Sequence, residues 1–316
     1  MFTIDVSFVN GYKTNILMLS QQKNARLFGK SRVEVQNSES DFYERIGSVD
    51  AQDVVGRHGD TPNMEVPHSR RRVSLEDAEF GTMLDNFDKI RLLIDPQNSY
   101  VQAAVMSLSR KKDAIFIAAA LGNAYSGKTG STAVALPTSQ KLAAFDGATT
   151  TGVNINVETL VAIKGKFWSN EAIMEGEGLY LALASSQFQA LLNNTKVTNV
   201  DYASVKALVN GEVNTFMGFT FIHSELLPRS AANVTYTVTD GTVGAGTGTI
   251  TAAKSRRCIA WAAEGMISVS GIGGYDLKVN IGPDAAKKFH PRIYACHSVG
   301  ATRLEEVKVV EVICSE

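Results

Sequence analysis

The sequence predicts an α+β fold, and three observations predict it. One amphipathic run of about 27 residues dominates the first half of the chain. Shorter helical and β-type runs follow, interleaved without the rhythm of a parallel βαβ sheet. A Thr- and Gly-rich stretch carrying a hairpin signal interrupts the second half. The 316 residues are 44% hydrophobic and 20% charged, enough apolar content to bury a core and too much for wholesale disorder. The length suits two average domains or one large one.

Charge and cysteine usage narrow the function classes. With 31 basic and 32 acidic side chains the formal net charge is −1, which argues against a dedicated nucleic-acid coat. The longest apolar run, Ala114–Leu121, has 8 residues, far short of the ~20 that cross a bilayer. Asp5 and Asn10 break the N-terminus before the apolar stretch of an export signal can form. Cys258, Cys296 and Cys314 are too few and scattered for a disulfide framework, so a soluble intracellular protein with reduced thiols is expected.

Residues 1–43 are weakly patterned. Met1–Asn10 suits an extended strand and Asn15–Leu19 is a short apolar patch, and the segment reads as an arm lying on something else. From Glu44 to Phe80 the polarity jumps: 13 of 37 residues are charged, among them the run Arg70-Arg71-Arg72. Such a segment buries little apolar area and is expected to project as a two-stranded arm ordered by neighbours, a disordered surface loop being the alternative.

The long helix comes next. Asp95 suits its N-cap and Pro96 its first turn. Tyr100, Val101, Ala104, Val105, Leu108, Ile115, Ala118 and Ala119 recur at helical steps, with Ser107, Arg110, Lys111 and Asp113 largely on the opposite face. Running to about Gly122, this is a rod of roughly 40 Å. A Gly/Ser/Thr loop, Ser126–Thr132, leads to a short strand at Ala133–Leu136. Further helices are expected at about Asn156–Ile173, from Ser185 or Ser186 as cap through Leu192, and at Tyr202–Val209 behind Asp201. Strands are expected at Gly178–Leu183, Phe216–Ile222, Ile259–Ala263 and Met266–Ser270, with a half-exposed one at Glu305–Ile313. Between Arg229 and Arg257, seven threonines and four glycines surround Asp240-Gly241, the signature of an inserted, solvent-facing hairpin.

Chemical motifs are sparse. Gly122-Asn123-Ala124-Tyr125-Ser126-Gly127-Lys128-Thr129 fits the phosphate-cradling G-x-x-x-x-G-K-[ST]. That loop works only between a strand and a helix whose N-terminus faces the phosphates. Here a helix precedes it and a Gly-, Val- and Pro-containing stretch follows, so a P-loop nucleotide hydrolase is the weaker alternative. The five histidines are dispersed, and in a strand the adjacent Cys296 and His297 point to opposite faces, so no metal site is expected. No G-x-S-x-G or similar nucleophile signature is present, so neither catalytic residues nor a cofactor are expected. The arginine run beside Glu76, Asp77 and Glu79 suits inter-subunit ion pairs, with phosphate contact or simple solvation as alternatives.

The order of parts resembles the major capsid proteins of tailed bacteriophages, the Hong Kong-type fold shared with encapsulin shells. The stretches that carry the resemblance are Leu108–Ile115 running into Ala120–Ala124, Phe216–Ile222 with Leu226-Leu227-Pro228, and Cys258–Ala262 before Ile267-Ser268-Val269. The resemblance implies an N-terminal arm at 1–43 and an extended loop, a β-hairpin, at 44–93. It implies a peripheral domain with a spine helix at 94–150 plus 299–316, and an axial domain at 151–298 with the inserted hairpin 229–257. It further implies self-assembly into pentamers and hexamers of an icosahedral virion shell around double-stranded DNA, held by non-specific contact and assembled in the host cytoplasm. A portal protein, a separate scaffolding protein and a decoration protein are the implied partners, with no membrane. Arg57, Arg70, Arg71, Arg72, Glu76, Asp77, Arg110 and Lys111 are the candidate inter-subunit contacts. Some relatives cross-link through a loop lysine; none lies between Glu44 and Phe80, so no such bond is expected. An encapsulin-like compartment is the nearest rival reading, and a surface adhesin would need an export signal.

Overall fold

The computed structural model describes residues 20–53, 56, 63–84, 97–144, 153–174, 176–194, 215–230, 234–239, 242–243, 248–252, 254–272 and 276–316. Three helices are described: α1 (Gln97–Leu121), α2 (Val157–Ser169) and α3 (Ser185–Asn193). The strands begin with β1 (Arg32–Gln36), β2 (Ser40–Ile46), β3 (His68–Ser74) and β4 (Glu76–Met83). After α1 come β5 (Ala124–Ser126), β6 (Thr132–Val134) and β7 (Lys141–Ala143). β8 (Leu179–Leu183) precedes α3, and β9 (Thr215–Phe216) and β10 (Phe219–His223) follow it. The insertion holds β11 (Val234–Thr239), β12 (Thr242–Val243) and β13 (Gly248–Ala252). The chain then forms β14 (Ser255–Ala262), β15 (Met266–Gly271), β16 (Lys278–Asp284), β17 (His290–Arg303) and β18 (Val309–Ser315).

Three sheets result. The largest runs β13-β11-β12-β7-β18-β14-β8-β10-β9. The second runs β1-β15-β17-β16, with β4 also pairing along β17. The third, β2-β3-β5-β6, is a two-stranded ribbon, β2 with β3, joined at its base to the β5–β6 hairpin. The arm expected to project from 44–80 is therefore a ribbon from Ser40 to Ser74, while Glu76–Met83 returns to the body beside β17.

α1 joins the sheets. Ala104 and Leu108 pack on Ala295 of β17 together with Ala78, Phe80 and Leu277, whereas Phe116, Ile117 and Ala120 enter the main core. There Phe116 meets Trp261 at 5.2 Å between ring centroids, and Trp261 donates its indole N–H to the Lys30 carbonyl at 2.9 Å. The helix thus passes from a one-sided contact into a core that surrounds it. This is why its amphipathic stripe fades: Tyr100 and Ala118, placed on the apolar face by spacing, are exposed, and Asp113, placed on the polar face, is buried.

Other expectations are corrected. Phe216–Ile222 is not one strand but a hairpin, because Met217 (φ 53°) and Gly218 (φ 85°) form a tight turn that pairs Phe216 with Phe219. Ser185 is the first residue of α3 and not its cap; the Glu225 carboxylate caps from outside, accepting the Ser185 N–H at 2.7 Å. Asn156, by contrast, caps α2, accepting the Thr159 N–H at 2.8 Å. The final strand is fully buried rather than half-exposed. It lies between β14 and β7, and one oxygen of its buried Glu311 carboxylate pairs with Arg257 of β14, while the other finds no donor among the described residues. The division at 298/299 falls within β17, and the last strand belongs to the large sheet with β8 and β14 rather than with α1 and β17. The inserted hairpin does form, β11 against β13, yet it extends the large sheet through β12 and β7 instead of standing free. The Asp240-Gly241 turn, the Asp95-Pro96 start and the helix at Tyr202–Val209 lie outside the described residues.

Candidate assembly surface and the junction beneath it

The ribbon leaves apolar side chains uncovered by the described residues. Towards its far end Ile46 is 69% exposed, with Val49 and Val66 exposed nearby. Apolar side chains gathered at the end of a projecting ribbon are what an interface uses. At the ribbon's base the picture reverses, for the polar groups there are buried and hold the ribbon, α1 and the arm together.

Asp113 is the first of these groups. It is fully buried on α1, and its carboxylate accepts the backbone N–H of Arg26 (2.9 Å), Leu27 (3.0 Å) and Phe28 (3.3 Å), with the Gln22 side chain completing the set. Consecutive amides turned towards one carboxylate form a charge-assisted clamp that fixes the arm against the long helix. Arg110, one turn earlier, donates to Gln21 Oε1 at 2.8 Å and reinforces the same contact.

Arg303, fully buried at the end of β17, serves the other end of α1. Its guanidinium donates to the carbonyls of Ala119 (3.1 Å), Ala120 (2.8 Å) and Gly122, and to Val134 O at 3.0 Å. The first three are carbonyls at the helix end without intrahelical partners, and a cation there also complements the helix dipole.

Arg71 and Arg45, neighbours across the ribbon base, share a third contact. Both reach the single carboxylate of Glu306, Arg71 through a direct ion pair and Arg45 at 3.6 Å, and Arg45 also donates to Leu304 O. The Arg71 side chain is 2% exposed. Burial, and then Arg71, push the Arg45 guanidinium below its usual pKa; burial first and Arg71 also lower Arg303, which Glu306 opposes. Glu305 also acts on Arg45 and Glu311 on Arg303, so the cluster is balanced by several carboxylates, of which Glu306 is the nearest. Arg45 Nε, Arg71 Nε and Nη1, and Arg303 Nε find no acceptor among the described residues.

The candidate contacts read from sequence fall into distinct places. Arg71 is corrected: it is buried in its own chain and unavailable to a neighbour. Arg70 is exposed, pairs with Glu44 at 2.9 Å and lies over the Phe42 ring. Arg72 stacks on Tyr125, packed so closely that a Cβ on Gly130 would sit 2.6 Å from its Cδ. Glu76 and Asp77 are exposed on β4 opposite Val299 and Ser298, and Lys111 is exposed on α1. Arg110 holds the arm. Arg57 lies outside the described residues. Sequence reasoning missed Asp113, Arg303 and Glu306, whose partners are distant in sequence; the one available signal was that Asp113 is the single acid of the long helix.

The phosphate-loop match is also resolved. Its residues form β5 and the turn into β6, with Gly127 and Gly130 at positive φ, so no helix N-terminus faces the loop. Among the described residues no group of three His, Cys, Asp or Glu side chains is placed to hold a metal, and no helix is long and apolar enough to cross a membrane.

His297 is buried on β17 with neither ring nitrogen hydrogen-bonded among the described residues. Burial first, then Lys112, push its pKa from 6.5 down to about 4, with Lys111 adding and Asp276 and Asp77 opposing. Between these two values the unfolded chain binds the proton more readily, so stability falls as pH drops from about 6.5 to about 4. His297→Phe is expected to flatten that acid limb in urea midpoints measured across the window. An unchanged slope would assign the acid sensitivity elsewhere.

A family model described as phage capsid protein matches residues 4–316. The chain belongs to that family. Solved capsid structures agree with it in fold. That of the cyanophage P-SCSP1u has a TM-score of 0.70 at 17% identity, covering 99% of this chain and 94% of its own. The Ralstonia phage GP4 capsid has 0.69 at 8%, covering 98% and 95%. The cyanophage Pam1 capsid has 0.67 at 12%, covering 99% and 98%. No curated protein sequence matches the chain. The molecule is a major capsid protein of the Hong Kong type, a structural unit of a phage virion shell built by self-assembly into capsomers.

Proposed function

We propose that this capsid protein forms both pentamers and hexamers of an icosahedral shell around double-stranded DNA, and that it acts as a building block and not as an enzyme. The observation that carries the reading is the ribbon β2–β3, whose far end leaves Ile46, Val49 and Val66 uncovered by any described residue. The family's plan suggests a peripheral part made of α1 with the β1-β15-β17-β16 sheet, and an axial part made of the large sheet with α2 and α3. The arm, the ribbon and the insertion 229–257 then reach neighbouring copies. Many modest interfaces add up because each docked limb raises the effective concentration of the next. Glu76, Asp77, Arg70 and Lys111 remain candidates for ion pairs across copies, while Arg57 is a candidate from sequence alone. A separate scaffolding protein, a portal protein, a decoration protein and assembly in the host cytoplasm complete the reading.

Negative-stain microscopy of the purified chain, with its scaffold co-expressed, is expected to show closed round shells. A monomer that persists at high concentration under those conditions would refute the reading. On a denaturing gel the shells are expected to run as a single monomer band, since 44–80 holds no lysine; a ladder of covalent multimers would show the opposite.

A further inference from the structure

At the root of the ribbon a cavity of about 420 Å³ lies between the turn that joins β1 to β2, the start of β4 and the middle of β17. Gln36, Asn37 and Glu39 line it from the turn, Asp77 from β4 and Ser298 from β17, with Leu75 and Ile272 as apolar walls. Strand register explains the gathering. Asp77 lies opposite Ser298, the Leu75 N–H donates to Glu39 O at 3.0 Å, and the Ile272 N–H donates to Gln36 O at 2.9 Å. The wall holds two carboxylates, and among the described residues no Lys, Arg or His side chain lines it. On the same sheet Arg292 pairs with Asp284 at 3.5 Å, and Lys278 stands on the edge strand β16, across β17 from β4.

Gln36 singles out the kind of ligand. It is 1% exposed, and its amide nitrogen donates to Ser38 O at 2.9 Å. That contact fixes which end of the amide carries the oxygen, since a carbonyl turned to a carbonyl repels. Oε1 is left buried with no donor among the described residues. An unmade hydrogen bond on a buried acceptor is costly, and two carboxylates in one wall with no basic side chain repel each other. A cation answers both. Carboxylates combined with neutral amide and hydroxyl oxygens are the ligands of a hard divalent ion, and Ca²⁺ accepts irregular sets of them more readily than Mg²⁺ does. Only two ligands here are carboxylates, so the remaining positions fall to neutral oxygens and to water, for which the cavity has room.

We propose that this cavity binds a Ca²⁺ ion, held by the Glu39 and Asp77 carboxylates and by Gln36 Oε1, with Asn37, Ser298 and water completing its shell. The ion bridges the strand that enters the ribbon to the strand that follows it: Glu39 immediately precedes β2, and Asp77 lies in β4, just after β3. It therefore pins the root of the ribbon to the β4–β17 pair. Asp77 serves its own chain in this way before any neighbour is present.

Calorimetric titration of the free subunit with CaCl₂, after treatment with EDTA and dialysis, tests it independently of shell formation. One ion per chain is expected, with a Kd on the order of 10⁻⁴ to 10⁻³ M and with Mg²⁺ binding about tenfold more weakly. Asp77→Asn and Glu39→Gln, both at exposed positions, are each expected to weaken Ca²⁺ binding by about tenfold or more, and Gln36→Met, which deletes Oε1, to weaken it as well. Glu76→Gln removes the same charge one residue away, outside the cavity wall, and is expected to leave the affinity unchanged. At a tenfold excess of Ca²⁺ over its Kd the folded-to-unfolded ratio in urea is expected to rise about tenfold in the wild type. The proposal is overturned by the absence of binding at about 10 mM Ca²⁺, by affinity that survives both Asp77→Asn and Glu39→Gln, or by an equal loss in Glu76→Gln. Equal affinity for Mg²⁺ overturns the assignment to calcium.

Discussion

Replacing Asp113 by alanine is expected to detach the arm from the long helix and to abolish shell formation. The carboxylate is fully buried and serves the N–H groups of Arg26, Leu27 and Phe28 together with Gln22. Alanine leaves those donors unpaired; the amides of Leu27 and Phe28 are buried, and at about 1–3 kcal/mol for each buried donor their loss comes to about 2–6 kcal/mol. The loss has a ceiling. Once holding the arm costs more than releasing it, residues 20–30 leave the surface and water satisfies the amides. The denaturant midpoint of the isolated subunit is therefore expected to drop and then stop dropping, while trypsin gains access at Lys23 and Arg26. Asp113→Asn retains one acceptor without the charge and is expected to fall between the two. A wild-type midpoint with an arm still resistant to trypsin would show that the clamp contributes nothing.

Glu306→Ala is expected to produce the second large effect, at the ribbon base. Arg71 is 2% exposed and Glu306 is its one anionic partner there. Removing one member of a buried pair strands the other charge, at a cost of about 3–5 kcal/mol. Replacing both members with uncharged groups of similar volume, as in Arg71→Met with Glu306→Gln, is expected to recover most of that loss. The ribbon would loosen before the body does, because Arg71 and Arg45 sit on its two strands while the body's core lies elsewhere. Hydrogen exchange at His68–Ser74, followed beside the global urea midpoint, distinguishes the two. Acceleration at β3 is the expected result for Glu306→Ala; equal effects of the single and double variants would mean the pair has no coupling.

How far the sequence carries the fold can be judged strand by strand. β8 and the second half of β14, Cys258–Ala262, were legible because their residues are apolar and almost all buried, whereas Ser255–Arg257 at the start of β14 were not. β17, the longest strand, was not. It alternates faithfully, but between Ile293 and Val299 its inward side is the small Ala295 and the polar His297, so the apolar signal is broken in the middle of the strand. β16 carries Gly282 and Pro283, which are tolerable only because it is an edge strand. β1 reverses the usual sign, exposing Val33 and Val35 while Gln36 is buried.

By itself the sequence determined the long helix, the second helix from about Asn156, the hairpin in the insertion and the wrong context of the phosphate-loop match. Each depends on residues within a turn or two of one another, whose spacing and backbone preferences act locally. Only the tertiary structure decided that Asp113 is buried, that Arg303 closes α1 and that Glu306 serves two arginines. Those facts depend on partners up to two hundred residues or more away. A charge is stabilised inside a protein only by what the rest of the chain brings to it, and nothing in its immediate neighbours records that arrival.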